Sequence, residues 1–202
     1  MIKNVVFDLG RVLVDFDPEG YLHSFGYDED TVQRLLKVVF GPRWRFYDRG
    51  DYPSVTDLCD DLMRDFPADA ERIQLVLHPD WVKIHTLKAD SAAYLHELKT
   101  RGYRIFMLSN LARESHEFVR GYEFFSELDG GVFSYQEHVI KPDERIYRIL
   151  LERYALRPDE TLFLDDSAEN IEAAQRLGMR GIVFTELPAV RPLIEQLLTT
   201  CH

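Results

Sequence analysis

The stretch "VVFDLGRVLVDFD" (Val5–Asp17) governs how the rest of the chain is read. An apolar run, continuous rather than alternating, ends in a single carboxylate, Asp8, and a glycine follows two residues later. Unbroken Val and Phe mark a strand covered on both faces, as in a parallel sheet. Four further segments share the pattern: "RIFMLSN" (104–110), "GGVFSY" (130–135), "TLFLDD" (161–166) and "GIVFT" (181–185). Helical patterns lie between them. "DSAAYLHELKTRG" (90–102) opens on capping residues and stops at Gly102. "DERIYRILLERYAL" (143–156) repeats apolar residues at Ile146, Ile149, Leu150 and Tyr154, and "SAENIEAAQRLG" (167–178) puts Ile171, Ala174 and Leu177 on one face. Strand and helix alternate from residue 90 onward, which predicts right-handed βαβ units and an α/β, doubly wound parallel sheet.

Residues 16–86 break the alternation. Val32, Leu35, Leu36 and Val39 recur at helical spacing, as do Val55, Leu58, Cys59 and Leu62. A further helix is expected around 68–77, and no strand. The expected organisation is a core of 1–15 and 87–202, with 16–86 a helical insert after the first strand. An insert there lies over the carboxyl ends of the strands, where ligands bind in open α/β sheets.

Composition narrows the function. A net charge of -11 argues against nucleic acid and anionic membranes as partners. No apolar segment approaches the length of a membrane span, and no signal peptide is visible. Cys59 and Cys201 are the two cysteines, in no paired motif, so a reducing cytoplasm is the expected location.

Four polar features stand at strand ends. Asp8 ends the first, Ser109 and Asn110 the second; Lys141 lies in the loop after the third, and Asp165 and Asp166 end the fourth. In a parallel sheet these ends share one edge, so the groups can converge. Singly, each has an ordinary reading as a cap, turn or solvated side chain. Adjacent carboxylates at a buried strand end repel unless a cation or donors satisfy them.

Together these residues resemble the haloacid dehalogenase superfamily over essentially the whole chain. "FDLGRVL" looks like its first motif, "MLSN" its second, "KPDERIY" its third and "FLDDSAENIEAA" its fourth. The resemblance implies a Rossmann-like core with a small mobile helical cap. It implies Asp8 as nucleophile, Ser109 binding the transferring phosphoryl group and Lys141 countering its charge. Mg²⁺ would be held by Asp8, the Gly10 carbonyl and Asp166, with Asp165 assisting and Asn170 orienting the acids. The motif set looks most like sugar-phosphate phosphatases of the glucose-1-phosphate type, so the implied substrate is a small phosphorylated metabolite. An ionised Asp can split phosphoester hydrolysis into two easier steps through an aspartyl-phosphate.

The family's phosphatases carry Asp where this chain has Gly10. Glycine keeps the carbonyl and loses the acid–base side chain, a contribution of roughly 10²–10⁴-fold. Three readings stay open: leaving groups that need little help, a substitute acid (Asp15 first, then Asp17), or a phosphate-binding protein without turnover. A metal-free 2-haloacid dehalogenase is a further alternative, against which the acidic pair argues. Substrate contacts are expected from Ser109, Asn110, Lys141 and Arg113, and from the insert through Trp44 and Arg49, with Tyr47 and Asp48 beside them. Arg11 either fills the space beside Gly10 or faces outward. The histidines show no paired metal spacing.

Overall fold

The computed structural model describes residues 1–199. Among these residues seven strands, β1 (Asn4–Phe7), β2 (Val14–Phe16), β3 (His85–Leu87), β4 (Arg104–Ser109), β5 (Gly130–Phe133), β6 (Thr161–Asp165) and β7 (Arg180–Val183), form two sheets. The main sheet is parallel in the order β5-β4-β1-β6-β7. Asn4 pairs with Arg104 on one side and Thr161 on the other, so β1 is central and fully buried. Its side chains alternate between two cores. Val5 and Phe7 join Ile105, Met107, Leu162 and Leu164 on one face; Val6 joins Phe106, Leu108 and Phe163 on the other.

Helices cover both faces. Before β4 come α1 (Pro18–His23), α2 (Glu29–Val38), α3 (Trp44–Asp48), α4 (Val55–Asp65), α5 (Ala70–Val76) and α6 (Ala89–Thr100). After it come α7 (Arg113–Val119), α8 (Ser134–Glu137), α9 (Glu144–Arg153), α10 (Ala168–Arg176) and α11 (Leu187–Thr199). Tyr94 and Leu98 of α6 and Ile194 of α11 pack on the first face, Ile146 and Leu150 of α9 and Ala174 of α10 on the second. This is the doubly wound α/β fold. The chain runs from β1 out through β4 to β5, then crosses to β6 and β7, so the strand order reverses at β1. That crevice is where such sheets bind ligands.

The insert has its own apolar cluster. Val32, Leu35, Leu58, Leu62, Ile73 and Trp81 are fully buried in it. Asp28 caps α2 by accepting from Thr31 N, and Ser54 caps α4. One expectation fails here. The insert is not purely helical at its roots, because β2 and β3 pair antiparallel, Val14 with Leu87 and Phe16 with His85. This short ribbon fixes both points where the chain leaves and rejoins the core. Cys59 is a buried free thiol, and Cys201 lies outside the described residues. Among the described residues no helix is long and apolar enough to cross a membrane.

Candidate active site

The carboxyl ends of β1, β4 and β6 bring Asp8, Ser109 and Asp165 to one edge, and the loop after α8 adds Lys141. Lys141 is 3% exposed. Its Nζ lies 2.8 Å from Asp8 Oδ1 and 2.6 Å from Asp165 Oδ2, and donates to the Leu108 carbonyl at 2.9 Å. An ammonium has three donors, and all three are used. Lys141 therefore acts on a ligand through its field. Two buried carboxylates share this one ammonium. Burial pushes the Asp8 carboxyl up, with Lys141 opposing. Burial by itself would lower the Lys141 pKa, but Asp8 and Asp165 outweigh it and raise it. Asp8 Oδ1 also accepts from Leu9 N at 2.7 Å.

The acidic pair divides. Asp165 is fully buried and saturated: besides Lys141, it accepts from Asn170 Nδ2 at 2.9 and 3.1 Å and from Ser167 N at 2.8 Å. Asp166 instead lines the open cleft with Asp8, Gly10, Ser109 and Lys141. Burial, then the charge of Asp165, raises its pKa. Ligand oxygens of Asp8, Asp165 and Asp166 lie within 4.8 Å of one another. Such a set suits a hard divalent cation. The loop after β1 adds to it. Val12, Leu13 and Val14 all donate to the Leu9 carbonyl, so the Gly10 carbonyl receives none of these three N–H groups. Arg11 takes a left-handed φ of 58° and reaches Asp166 at 3.4 Å from an exposed position, so it rims the cleft.

The cleft has two chambers. The acidic one, about 230 Å³, holds the residues above. The second, about 150 Å³, lies between core and insert and is walled by Phe16, Trp44, Leu111, His85 and Asp48. Gly10, Phe16, Ser109 and Asn110 belong to both. A Cβ on Gly10 would meet nothing within 4 Å, so the missing side chain leaves open space between the chambers.

The sequence matches the haloacid dehalogenase-like hydrolase description over residues 2–178. The chain belongs to the haloacid dehalogenase-like hydrolases. Over 203 aligned residues it is 26% identical to a sesquiterpene phosphatase of Aspergillus oryzae, covering 97% of this chain and 96% of that protein. It is 29% identical to a D-ribitol-5-phosphate phosphatase of Bacteroides thetaiotaomicron, covering 88% and 89%. A solved HAD-like family hydrolase from Porphyromonas gingivalis superposes over 100% of both chains with a TM-score of 0.75 at 23% identity.

In this hydrolase some expected residues meet and others do not. Asp8, Gly10, Ser109, Asn110, Lys141 and Asp166 line the acidic chamber, and Trp44 lines the second. The Asn110 side chain is engaged with the Lys141 backbone, so it positions that residue. Arg49 is not in the cleft: it pairs with Asp51 and covers the Phe46 ring. Arg113 instead lines a separate cavity with Tyr47 and Tyr135. Asp15 is no substitute acid, since β2 turns it outward to pair with Lys88 at 3.7 Å. Asp17 caps α1. His116 is buried behind Phe133 and Tyr135. Phe16 and His85 were missed because they arrive on the unexpected ribbon. Their only sequence signal is a three-residue alternation on each side.

Proposed function

We propose that this hydrolase is a Mg²⁺-dependent phosphomonoesterase acting on a small, soluble phosphorylated metabolite of the cytoplasm, such as a sugar phosphate. One observation carries this reading: Asp8 sits 2.8 Å from the Lys141 ammonium in a cleft that also holds Ser109 and Asp166. Asp8 attacks phosphorus and becomes the aspartyl-phosphate. Ser109, 2% exposed at the end of β4, offers its hydroxyl to a phosphoryl oxygen, and Lys141 lowers the cost of bringing two anions together. Asp8, Asp166 and the Gly10 carbonyl would hold Mg²⁺, whose charge offsets that of the transferring group. The two phosphatase relatives support ester hydrolysis, although their substrates differ. Substrate size is argued from the second chamber, whose 150 Å³ and aromatic walls suit a compact alcohol part.

Asp166 beside Asp8 favours this reading over a metal-free 2-haloacid dehalogenase, which needs no cation site. The test is a panel of phosphate esters and 2-haloacids with Mg²⁺ or EDTA, run on the native chain and on Asp8→Asn. Hydrolysis of phosphate esters, abolished by EDTA and by Asp8→Asn, is the expected result. Dehalogenation in EDTA would overturn it, and phosphate binding without turnover of any ester would make the chain a binding protein.

A further inference from the structure

The acid–base side chain absent at Gly10 is not excluded by sterics. The Gly10 φ lies outside the left-handed region, and a Cβ there has open space. A carboxylate stands in the adjoining chamber instead. We propose that Asp48, at the end of α3, protonates the leaving oxygen and then activates the hydrolytic water. This rests on the phosphatase reading above.

Three observations carry the assignment. First, Asp48 lines the chamber that contains Gly10 and Ser109, on the insert side, where the alcohol part of a substrate would leave. Second, the core fixes its backbone. The Asp48 carbonyl accepts from Ser134 Oγ, which is fully buried and in turn accepts from Leu111 N at 2.8 Å. Two residues on, Gly50 lies so close to the Tyr135 backbone that a Cβ would come within 2.6 Å of its carbonyl oxygen. Third, the environment favours a shared proton. Burial pushes the carboxyl up to about 7, the Asp8 charge adds to it, and the Ala112 N–H and Lys141 oppose it. An acid with that pKa populates both forms near neutrality, as a group that gives and then takes a proton must.

The other titratable group walling this chamber is His85. Its Nδ1 lies 2.9 Å from the Val82 carbonyl, which only accepts, so Nδ1 carries the hydrogen. Burial pushes its pKa down. Neutral His85 can accept at Nε2 but has no proton there to give. Asp166 and Arg11 lie across Gly10 in the acidic chamber.

In the first step an Asp8 oxygen bonds to phosphorus and the bond from phosphorus to the alcohol oxygen breaks. The leaving oxygen keeps the electron pair and takes the Asp48 proton. In the second, water bonds to phosphorus, its proton passes to Asp48, and the bond to Asp8 breaks. Inorganic phosphate leaves, and both carboxyl groups return to their starting states.

The experiment compares p-nitrophenyl phosphate, whose leaving group needs no proton, with glycerol 3-phosphate, whose leaving group does. In Asp48→Asn, glycerol 3-phosphate turnover should fall by roughly 10²–10⁴-fold with no burst. With p-nitrophenyl phosphate the same variant should release one nitrophenolate per enzyme quickly, then turn over slowly as the aspartyl-phosphate accumulates. Adding Gly10→Asp to Asp48→Asn should restore glycerol 3-phosphate turnover by at least about tenfold. Asp48→Glu, which keeps the acid, should exceed Asp48→Asn on that ester by a similar factor, so an early-melting Asn variant would not end the test. Equal losses on both esters without a burst, or the burst pattern in His85→Gln and not in Asp48→Asn, would overturn the proposal. A native chain inert on both esters would instead overturn the phosphatase reading.

Discussion

Asn110 and Lys141 hold each other at both ends of one peptide unit: Asn110 Oδ1 accepts from Lys141 N at 2.8 Å, and Asn110 Nδ2 donates to the Lys141 carbonyl at 3.1 Å. The end of β4 is thereby tied to the loop after α8. The tie delivers Nζ to Asp8 and Asp165 from a backbone that cannot drift.

Removing that ammonium should cost stability as well as activity. Lys141→Met leaves Asp8 and Asp165 buried without their cation, and breaking a buried pair this way costs roughly 3–5 kcal/mol. Burial already raises the Asp8 pKa, and without the opposing Lys141 it would lie further above that of the unfolded chain. Stability should therefore be lost as pH rises through the carboxylate range and partly recovered as pH falls. Urea midpoints of Lys141→Met at pH 5 and pH 8, against the native chain, measure this. A variant as stable as the native chain at pH 8 would mean the carboxylates are solvated.

How much of this was legible depends on the range of the forces involved. The five central strands were legible because burial on both faces leaves an unbroken apolar run. Asp8, Ser109 and Asp166 were legible because strand ends of a parallel sheet must share an edge. The ribbon of β2 and β3 was not, since its three-residue strands are specified by each other across the whole insert. The helix α11 is not among the patterns read from the sequence, and it contains Pro188 and Pro192. Pro188 sits in its first turn, where no intrahelical donor is needed, and Val190, Ile194 and Leu198 pack its inner face. Arg49 and Arg113 could not be sorted from Trp44 because side-chain direction on α3 and α7 is set by tertiary packing.

Cation binding should be visible without turnover. Mg²⁺ binding to the native state alone raises the melting temperature by mass action. Asp166→Ala should abolish the rise. Arg11 competes for Asp166 through an exposed pair worth at most about 1 kcal/mol, so Arg11→Ala should tighten Mg²⁺ binding by no more than about fivefold. Calorimetric titration of the three proteins tests both statements, and a loosening in Arg11→Ala would show that Arg11 supports the site.

Side chains of the insert should divide by chamber. Trp44 and Phe16 wall the second chamber, so Trp44→Ala or Phe16→Ala should shift relative kcat/KM among phosphate esters by about tenfold or more, the scale of a few apolar contacts. Arg49→Ala and Arg113→Ala should leave those ratios within about twofold, because neither side chain reaches the cleft. A changed ratio in either Arg variant would return it to the substrate path.

His116 should set part of the acid limit of the fold. Its ring stacks 4.0 Å from Phe133, and burial, with Arg120 adding, lowers its pKa from 6.5 to about 4. The folded state thus holds neutral imidazole. Its contribution is full above pH 6.5 and is lost as pH falls from 6.5 toward 4, at roughly 1–3 kcal/mol. Melting temperatures of the native chain and His116→Gln at pH 7.5 and pH 5 should show a smaller drop in the variant. An equal drop would place the acid-sensitive groups elsewhere.

The last relationship concerns access. Glu114 of α7 uses both carboxylate oxygens on the insert: Oε2 accepts from Tyr47 Oη at 2.7 Å and Oε1 from Val55 N at 2.8 Å. These bonds bracket the turn between α3 and α4, so one core side chain holds the segment that carries Asp48. If this segment is a mobile cap, as the family resemblance implies, it would lift for substrate entry and return for catalysis. Glu114→Met keeps the length and removes both acceptors, whereas Gln could still accept from Val55 N and donate to Tyr47 Oη. A lost hydrogen bond to a charged acceptor costs roughly 1.5–3 kcal/mol. The open state should gain population by that amount locally while the sheet is unaffected. Amide exchange at residues 47–55 should accelerate by roughly tenfold or more, with β1 and β4 unchanged, and kcat/KM should rise if opening of this segment limits substrate entry. Faster exchange with unaltered kcat/KM would mean that opening does not limit the site. Unaltered exchange would mean that Ser134 alone, through the Asp48 carbonyl, keeps the insert closed.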